Sequence, residues 1–236
     1  MIHKLFCIPH AGGFASRFIP LKRNLESTIQ LMPVELKGHG KRLDEGFYGD
    51  FDEAVRDIVT ILRREAAPFA YTVLGHSLGG LLAYDALCGM QELGLPLPRL
   101  LIISGINPPH IKTQGADYAT LSDQELIAKT LALNGTQQDI FKNDQLRSLF
   151  LPILRADFRL LSQYPHDGQR EPLACDIEIW NGTDDDLVDH DATPAWKNYT
   201  RATCRFRVFD GSHFFLFDNP QATVSVMNEV VLSGSG

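Results

Sequence analysis

The sequence is poor in the features that would set it apart from ordinary globular enzymes. Only 4 of its 236 residues are cysteine, and Cys7, Cys88, Cys175 and Cys204 form no CxxC pair. This excludes a zinc knuckle, a dithiol redox centre and a disulfide-stapled scaffold, and leaves buried reduced thiols. Basic residues are in the minority, 22 Lys and Arg against 29 Asp and Glu, giving a formal charge of −7. No basic stretch supplies the phosphate-neutralising footprint of a nucleic-acid binder. Neither a Walker lysine motif nor GxGxxG occurs. Apolar runs are short; the longest, around residues 100–106, falls well below the ~18 residues that span a bilayer. The segment from Met1 to Pro9 is too brief for a signal-peptide core. These absences place the chain in the cytoplasm, with no membrane or nucleic-acid partner.

What is present is a core: 44% of residues are apolar and 22% charged, the balance of a globular domain. Short apolar segments at 3–8, 29–36, 69–74, 99–104, 175–180 and 204–209 read as buried strands. Between them lie helical periodicities, such as Phe51, Val55, Ile58, Val59 and Leu62 on one face of 51–66. Strands alternating with helices predict a parallel sheet in a single α/β domain spanning 1–236. Residues 107–168 break the alternation, with helical patterns at 122–133 and 144–161. Leu126, Ile127, Leu131, Leu133, Leu146, Leu149, Phe150, Leu154, Phe158 and Leu161 are too apolar for a solvated loop. The expectation is a helical lid over the sheet edge where open α/β sheets hold ligands. Ser233-Gly234-Ser235-Gly236 reads as a flexible tail.

After the third strand comes Gly75-His76-Ser77-Leu78-Gly79-Gly80, followed by the helical run beginning at Leu81. Chance gives roughly 0.1 G-x-S-x-G matches in a chain this long, so position carries the argument. A nucleophile on a tight strand-to-helix turn needs glycine two residues to either side, because a Cβ there would clash. It also gains from the helix N-terminus, which favours developing negative charge. A serine hydroxyl needs a base and a group to orient it, in the chain order Ser, Asp/Glu, His. His213 follows the sixth strand, in Asp210-Gly211-Ser212-His213-Phe214-Phe215; the fifth leads into Asn181-Gly182-Thr183-Asp184-Asp185-Asp186. Asp185, three residues beyond Gly182, is preferred, with Asp184 and Asp186 behind it. The acidic run could also hold a cation, but it lacks the calcium-loop pattern and the serine mechanism needs no metal. The other histidines fit less well: His3 starts a strand, His76 faces away from the nucleophile, and His39, His110, His166 and His190 fall in loops. Pro9-His10-Ala11-Gly12-Gly13, after the first strand, is the expected second half of an oxyanion hole, with His10 shaping the turn.

Together, Phe6-Cys7-Ile8-Pro9-His10-Ala11-Gly12-Gly13, the Ser77 pentapeptide, Gly182-x-x-Asp185 and Gly211-Ser212-His213-Phe214-Phe215-Leu216 resemble the type II thioesterases of nonribosomal peptide and polyketide synthases. Gly105-Ile106-Asn107-Pro108-Pro109-His110-Ile111 and Phe150-Leu151-Pro152-x-x-Arg155-x-Asp157-Phe158-Arg159 extend the resemblance into the lid. It implies an α/β-hydrolase fold and, without any cofactor, hydrolysis of acyl groups from the phosphopantetheine arm of carrier proteins, clearing misprimed or stalled intermediates in trans. Carried over, Ser77 is the nucleophile, His213 the base, Asp185 its partner, and the Ala11 and Leu78 N–H groups the oxyanion hole. A general carboxylesterase or lipase would share these residues, and a catalytically silent binding module would share the fold. One departure is Lys37-Gly38-His39-Gly40, where the family commonly has Pro-Gly-Arg or Pro-Gly-His, so the loop lacks proline's restraint on φ. Because the chain is acidic overall, recognition of an acidic carrier must be local, and Lys112, Lys129, Lys142, Arg147, Arg155 and Arg159 are its expected contacts.

Overall fold

The computed structural model describes residues 2–112, 116–133, 138–166 and 170–233. Six strands, β1 (His3–Ile8), β2 (Ile29–Pro33), β3 (Ala70–His76), β4 (Leu100–Ser104), β5 (Asp176–Gly182) and β6 (Cys204–Phe209), form one sheet in the order β2-β1-β3-β4-β5-β6. Every neighbouring pair is parallel. Period-two alternation sorts side chains onto two faces. Phe6, Ile8, Val73, Leu101 and Ile103 go to one core, and Leu5, Cys7, Leu74, Leu100 and Ile102 to the other.

Helices α1 (Phe51–Ala66) and α2 (Leu78–Glu92) cover the first face. Asp50 starts α1 by accepting the Glu53 N–H at 2.7 Å. The second face is covered by a 3-10 helix (Ala15–Asn24) through Phe18 and Leu21, and by the C-terminal helices. Between β4 and β5 lie α3 (Asp123–Ala132), capped by a Ser122–Glu125 capping box, α4 (Gln138–Lys142) and α5 (Asp144–Gln163). Then α6 (Phe215–Asp218) and α7 (Pro220–Leu232) close the chain. The chain reverses its direction of travel across the sheet between β1 and β3, so the loops leaving these two strands lie side by side. Open α/β sheets hold their ligands at this crevice.

Several expectations need correction. β2 stops at Pro33 instead of running to 36, its last bond to β1 being the Val34 N–H donated to the Cys7 carbonyl at 2.8 Å. β3 and β5 run two residues further than expected, to His76 and Gly182, which carries the sheet up to the functional loops. Of the apolar residues expected to pack in 107–168, Leu126, Phe150, Leu154, Phe158 and Leu161 are buried, but Leu146 and Leu149 are 47% and 57% exposed. Helix α7 is unanticipated, and Ser233, expected in the tail, closes it by donating to the Glu229 carbonyl at 2.9 Å. Residues 234–236 of that tail, and 113–115, 134–137 and 167–168 of the expected lid, lie outside the described residues. All four cysteines are free. Burial pushes the Cys88 and Cys175 thiols up to about 12, which keeps them protonated, while Cys204 is only half-buried.

Candidate active site

Ser77 joins β3 to α2 at φ 55 and ψ −121, a backbone state that side-chain-bearing residues seldom adopt. Glycines permit it. A Cβ on Gly75 would strike the Gly79 carbonyl at the start of α2, and one on Gly79 would strike the Ile8 carbonyl at the end of β1. The turn is fixed by the Ser77 N–H, which donates to the Ser104 carbonyl at 2.7 Å, and by the Gly80 N–H, which donates to the Ser77 carbonyl at 2.8 Å. Ser77 therefore sits in front of the first turn of α2, where free N–H groups gather.

His213 lies in the loop after β6, with Nδ1 2.8 Å from Asp185 Oδ2 in the loop after β5. Asp185 is 1% exposed and its other oxygen accepts the Leu187 N–H at 3.1 Å, whereas Asp184 and Asp186 are exposed. The two loops are sewn together. The Thr183 N–H donates to the Phe209 carbonyl at 2.8 Å and the Asp184 N–H to the Gly211 carbonyl at 2.9 Å. Gly182 is required here because a Cβ would run into the Gly211 and Ser212 carbonyls. With its Nδ1–H directed to Asp185, the His213 ring presents Nε2 as an acceptor. His213 Cε1 is 3.0 Å from where a Cβ would stand on Gly105, the residue after Ser104. The imidazole and the Ser77 turn thus share one sheet edge.

Behind His213 is a layer that sequence reasoning missed. The sequence reading has His76 facing away from the nucleophile and gives it no role; in the structure its ring backs onto that of His213 at 4.9 Å and it is fully buried. His10 packs edge-on against His76 and against Phe214, at 5.5 and 4.8 Å. Burial lowers the His10 pKa to about 3 and holds that of His76 well below its ordinary value, so both rings are neutral near pH 7. A neutral aromatic backing fixes the His213 ring without adding a second cation beside it.

The loop after β1 turns on a Gly13 N–H donated to the His10 carbonyl at 2.9 Å, with Gly12 at φ 74. The Gly12 N–H is bound at 2.7 Å by Asp157 Oδ2 from α5. The same oxygen is 3.0 Å from His39 Nε2, while His39 Nδ1 is 2.9 Å from the Lys37 carbonyl. His39 does lie in a loop, as expected, yet it is fully buried, and Asp157 is 2% exposed. Burial alone would lower the His39 pKa, but the Asp157 carboxylate, with the Lys37 carbonyl and Glu35, outweighs it and the net shift is upward. A sequence signal for this network does exist: Asp157 interrupts the apolar stripe of Phe150, Leu154, Phe158 and Leu161, and a carboxylate on such a face requires a partner.

The loop at Lys37 is held by other means than proline. The Lys37 N–H donates to Tyr48 Oη at 3.1 Å, a bond that proline could not make, and Lys37 Nζ pairs with Glu53 at 2.7 Å. Beside the Gly12 loop is a cavity of about 360 Å³, lined by His10, Gly12, Phe14, Arg17, Phe150 and Phe217 among others. Among the described residues, no three His, Cys, Asp or Glu side chains converge on a metal-sized site, and no helix is long and apolar enough to cross a membrane.

A family model described as the thioesterase domain matches residues 3–230. The gramicidin S biosynthesis protein GrsT of Aneurinibacillus migulanus is 30% identical over 227 residues, which cover 95% of this chain and 87% of GrsT. Among solved structures, ClbQ from the colibactin NRPS/PKS pathway matches with a TM-score of 0.91 at 30% identity, covering 99% of this chain and 98% of its own. RedJ, the thioesterase from the prodiginine pathway of Streptomyces coelicolor, matches with a TM-score of 0.87 at 31% identity, covering 96% and 84%. Agreement over almost the whole length, on a parallel sheet whose switch point carries a glycine-flanked serine, makes this chain an α/β-hydrolase-fold member of the thioesterase family, an enzyme that hydrolyses thioesters.

Proposed function

We propose that the chain removes acyl groups from the phosphopantetheine arm of carrier proteins in a nonribosomal peptide or polyketide synthase, acting in trans on misprimed or stalled intermediates in the cytoplasm. The observation that carries the chemistry is the buried Asp185–His213 pair, on the sheet edge where the Ser77 turn leaves β3. The carrier and the synthase context rest on the likeness to GrsT, ClbQ and RedJ.

In this reading His213 Nε2 takes the Ser77 Oγ proton as Oγ attacks the thioester carbonyl. Negative charge moves to the carbonyl oxygen, which accepts from the N–H groups of Leu78 and Ala11; each such donor is worth roughly 2.7–4 kcal/mol in the transition state. Collapse breaks the C–S bond, and the imidazolium gives its proton to the leaving thiolate. Water, deprotonated in turn by His213, attacks the acyl-serine ester and releases the carboxylic acid, restoring Ser77. Asp185 keeps the imidazole in the tautomer that can accept from serine, and compensates the imidazolium when it forms. Helices α3, α4 and α5, within 107–168, serve as a lid that shelters the acyl group from bulk water.

The test is hydrolysis of a panel of acyl-carrier proteins against oxyesters of the same acyl groups, with fluorophosphonate labelling as the check on Ser77. Preference for carrier-bound thioesters and loss of labelling in Ser77→Ala are expected. Equal efficiency on oxyesters would give a general carboxylesterase instead, and absence of labelling a silent binding module.

A further inference from the structure

Two acceptors face the two ring nitrogens of His39: the Lys37 carbonyl at Nδ1 and the Asp157 carboxylate at Nε2. Neither a carbonyl nor a carboxylate can donate, so both nitrogens must, and His39 is an imidazolium buried against Asp157. The carboxylate so compensated is the acceptor for the Gly12 N–H. Gly12 also presses its bare Cα against α5: a Cβ there would run into Leu154 and come within 3.3 Å of Phe150. The Gly12 N–H belongs to the peptide that joins Ala11 to Gly12, while the Ala11 N–H, assigned above to the oxyanion, belongs to the adjoining peptide, whose His10 carbonyl accepts the Gly13 N–H at 2.9 Å. Asp157 therefore fixes the peptide plane next to the oxyanion donor, across the Ala11 Cα, and does so from the proposed lid helix and from no part of the sheet.

We propose that Asp157, charge-compensated by His39, is a positioning residue that locks the oxyanion loop to α5, so that the oxyanion hole is complete only while this helix is seated. The inference rests on the reading of Ala11 as an oxyanion donor. Displacement of α5 would withdraw the Gly12 acceptor, leaving a glycine-rich turn free to rotate its amides. Opening for substrate entry would then coincide with a less competent site.

The experiment measures kcat and KM on an acyl N-acetylcysteamine thioester, with kcat expressed per site titrated by fluorophosphonate. Asp157→Ala should lower kcat per titrated site on the order of 100-fold with KM within about threefold, as for loss of one oxyanion donor. Asp157→Asn, which keeps an oxygen for the Gly12 N–H, should retain most of the rate. Because Asp157→Ala strands a buried cation, the pair Asp157→Leu with His39→Phe provides an apolar replacement of similar volume, a type of exchange that commonly folds well. It too lacks the acceptor and should show the same loss. A purely structural role would reduce the number of titratable sites and leave kcat per site unchanged; that result in either folded variant overturns the proposal. Ser77→Ala is the control: if it retains hydrolysis, the reading of the site itself has failed, whereas its inactivity beside an unaffected Asp157 variant refutes only the positioning role.

Discussion

Asp185 and His213 stand 28 residues apart in the chain, yet their side chains meet at 2.8 Å because β5 and β6 are parallel neighbours and release their loops at the same sheet edge. Asp185 is buried, and the carboxylates on either side of it are exposed. Asp185→Asn should therefore cost on the order of 10⁴ in kcat by leaving His213 in the wrong tautomer, while Asp184→Asn and Asp186→Asn have small effects. Single-turnover rates for the three variants decide the assignment. A severe Asp184→Asn effect would move the orienting role by one residue.

A second prediction separates two glycines of the same helix. At Gly79 an added methyl meets the backbone of Ile8 and Pro9, which cannot give way without moving β1. Gly79→Ala should lose about 3 kcal/mol or more and disable the Ser77 turn. Gly89, ten residues on, finds only Val59 Cγ2, at 4.0 Å. Gly89→Ala should gain about 0.5–1 kcal/mol from helix propensity alone. Denaturant midpoints with paired activity assays test both signs.

The pH dependence of stability should follow the histidine layer. Both His10 and His76 have folded-state pKa values below the ordinary 6.5, about 3 for His10. The unfolded chain therefore binds more protons as the pH drops. Their contribution is fully present above about pH 6.5 and is lost as the pH falls, for His10 down to about 3, at up to ~1.4 kcal/mol per pH unit for each ring. His10→Gln should flatten this slope by about one ring's share between pH 6 and 4.5, as read from urea midpoints. An unchanged slope would contradict the neutral state assigned to His10.

The sheet and the triad candidates were legible because each is written locally. Apolar runs mark the central parallel strands, which are buried on both faces, whereas β2 and β6, expected to be buried too, are edge strands that are mostly half-buried or exposed; the Ser77 turn requires glycines at fixed offsets. The limits of β2, β3 and β5 were less legible, since a strand ends where the loop that follows draws the chain away from its neighbour. Helix α7 was missed: Val224, Met227, Val230 and Val231 form a stripe that becomes meaningful only once the second face of the sheet needs covering. The His39–Asp157–Gly12 network joins residues up to 145 positions apart. No spacing rule encodes it, although a carboxylate on an apolar helical face was its visible trace.

The last prediction concerns the carrier. Of the basic residues expected to meet it, Lys112, Lys142, Arg147 and Arg155 already pair with Asp117, Asp139, Asp144 and Asp123, and Arg159 donates to the Tyr48 carbonyl. A carrier carboxylate would have to displace a partner in place, and exposed pairs are worth only ~0.2–1 kcal/mol. Reversing any one of these charges should thus change kcat/KM by less than about fivefold. Leu146 and Leu149 are different: they lie three residues apart on the outer face of α5, flank Arg147 and are largely exposed. Burying one such side chain contributes ~1.5–3 kcal/mol, several times a surface pair. The double change Leu146→Ser with Leu149→Ser should lower kcat/KM on an acyl-carrier protein by tenfold or more, and leave the same acyl group on N-acetylcysteamine unaffected. An equal fall on both substrates would mean that these leucines act on lid motion, and no fall on either would place the carrier on another face.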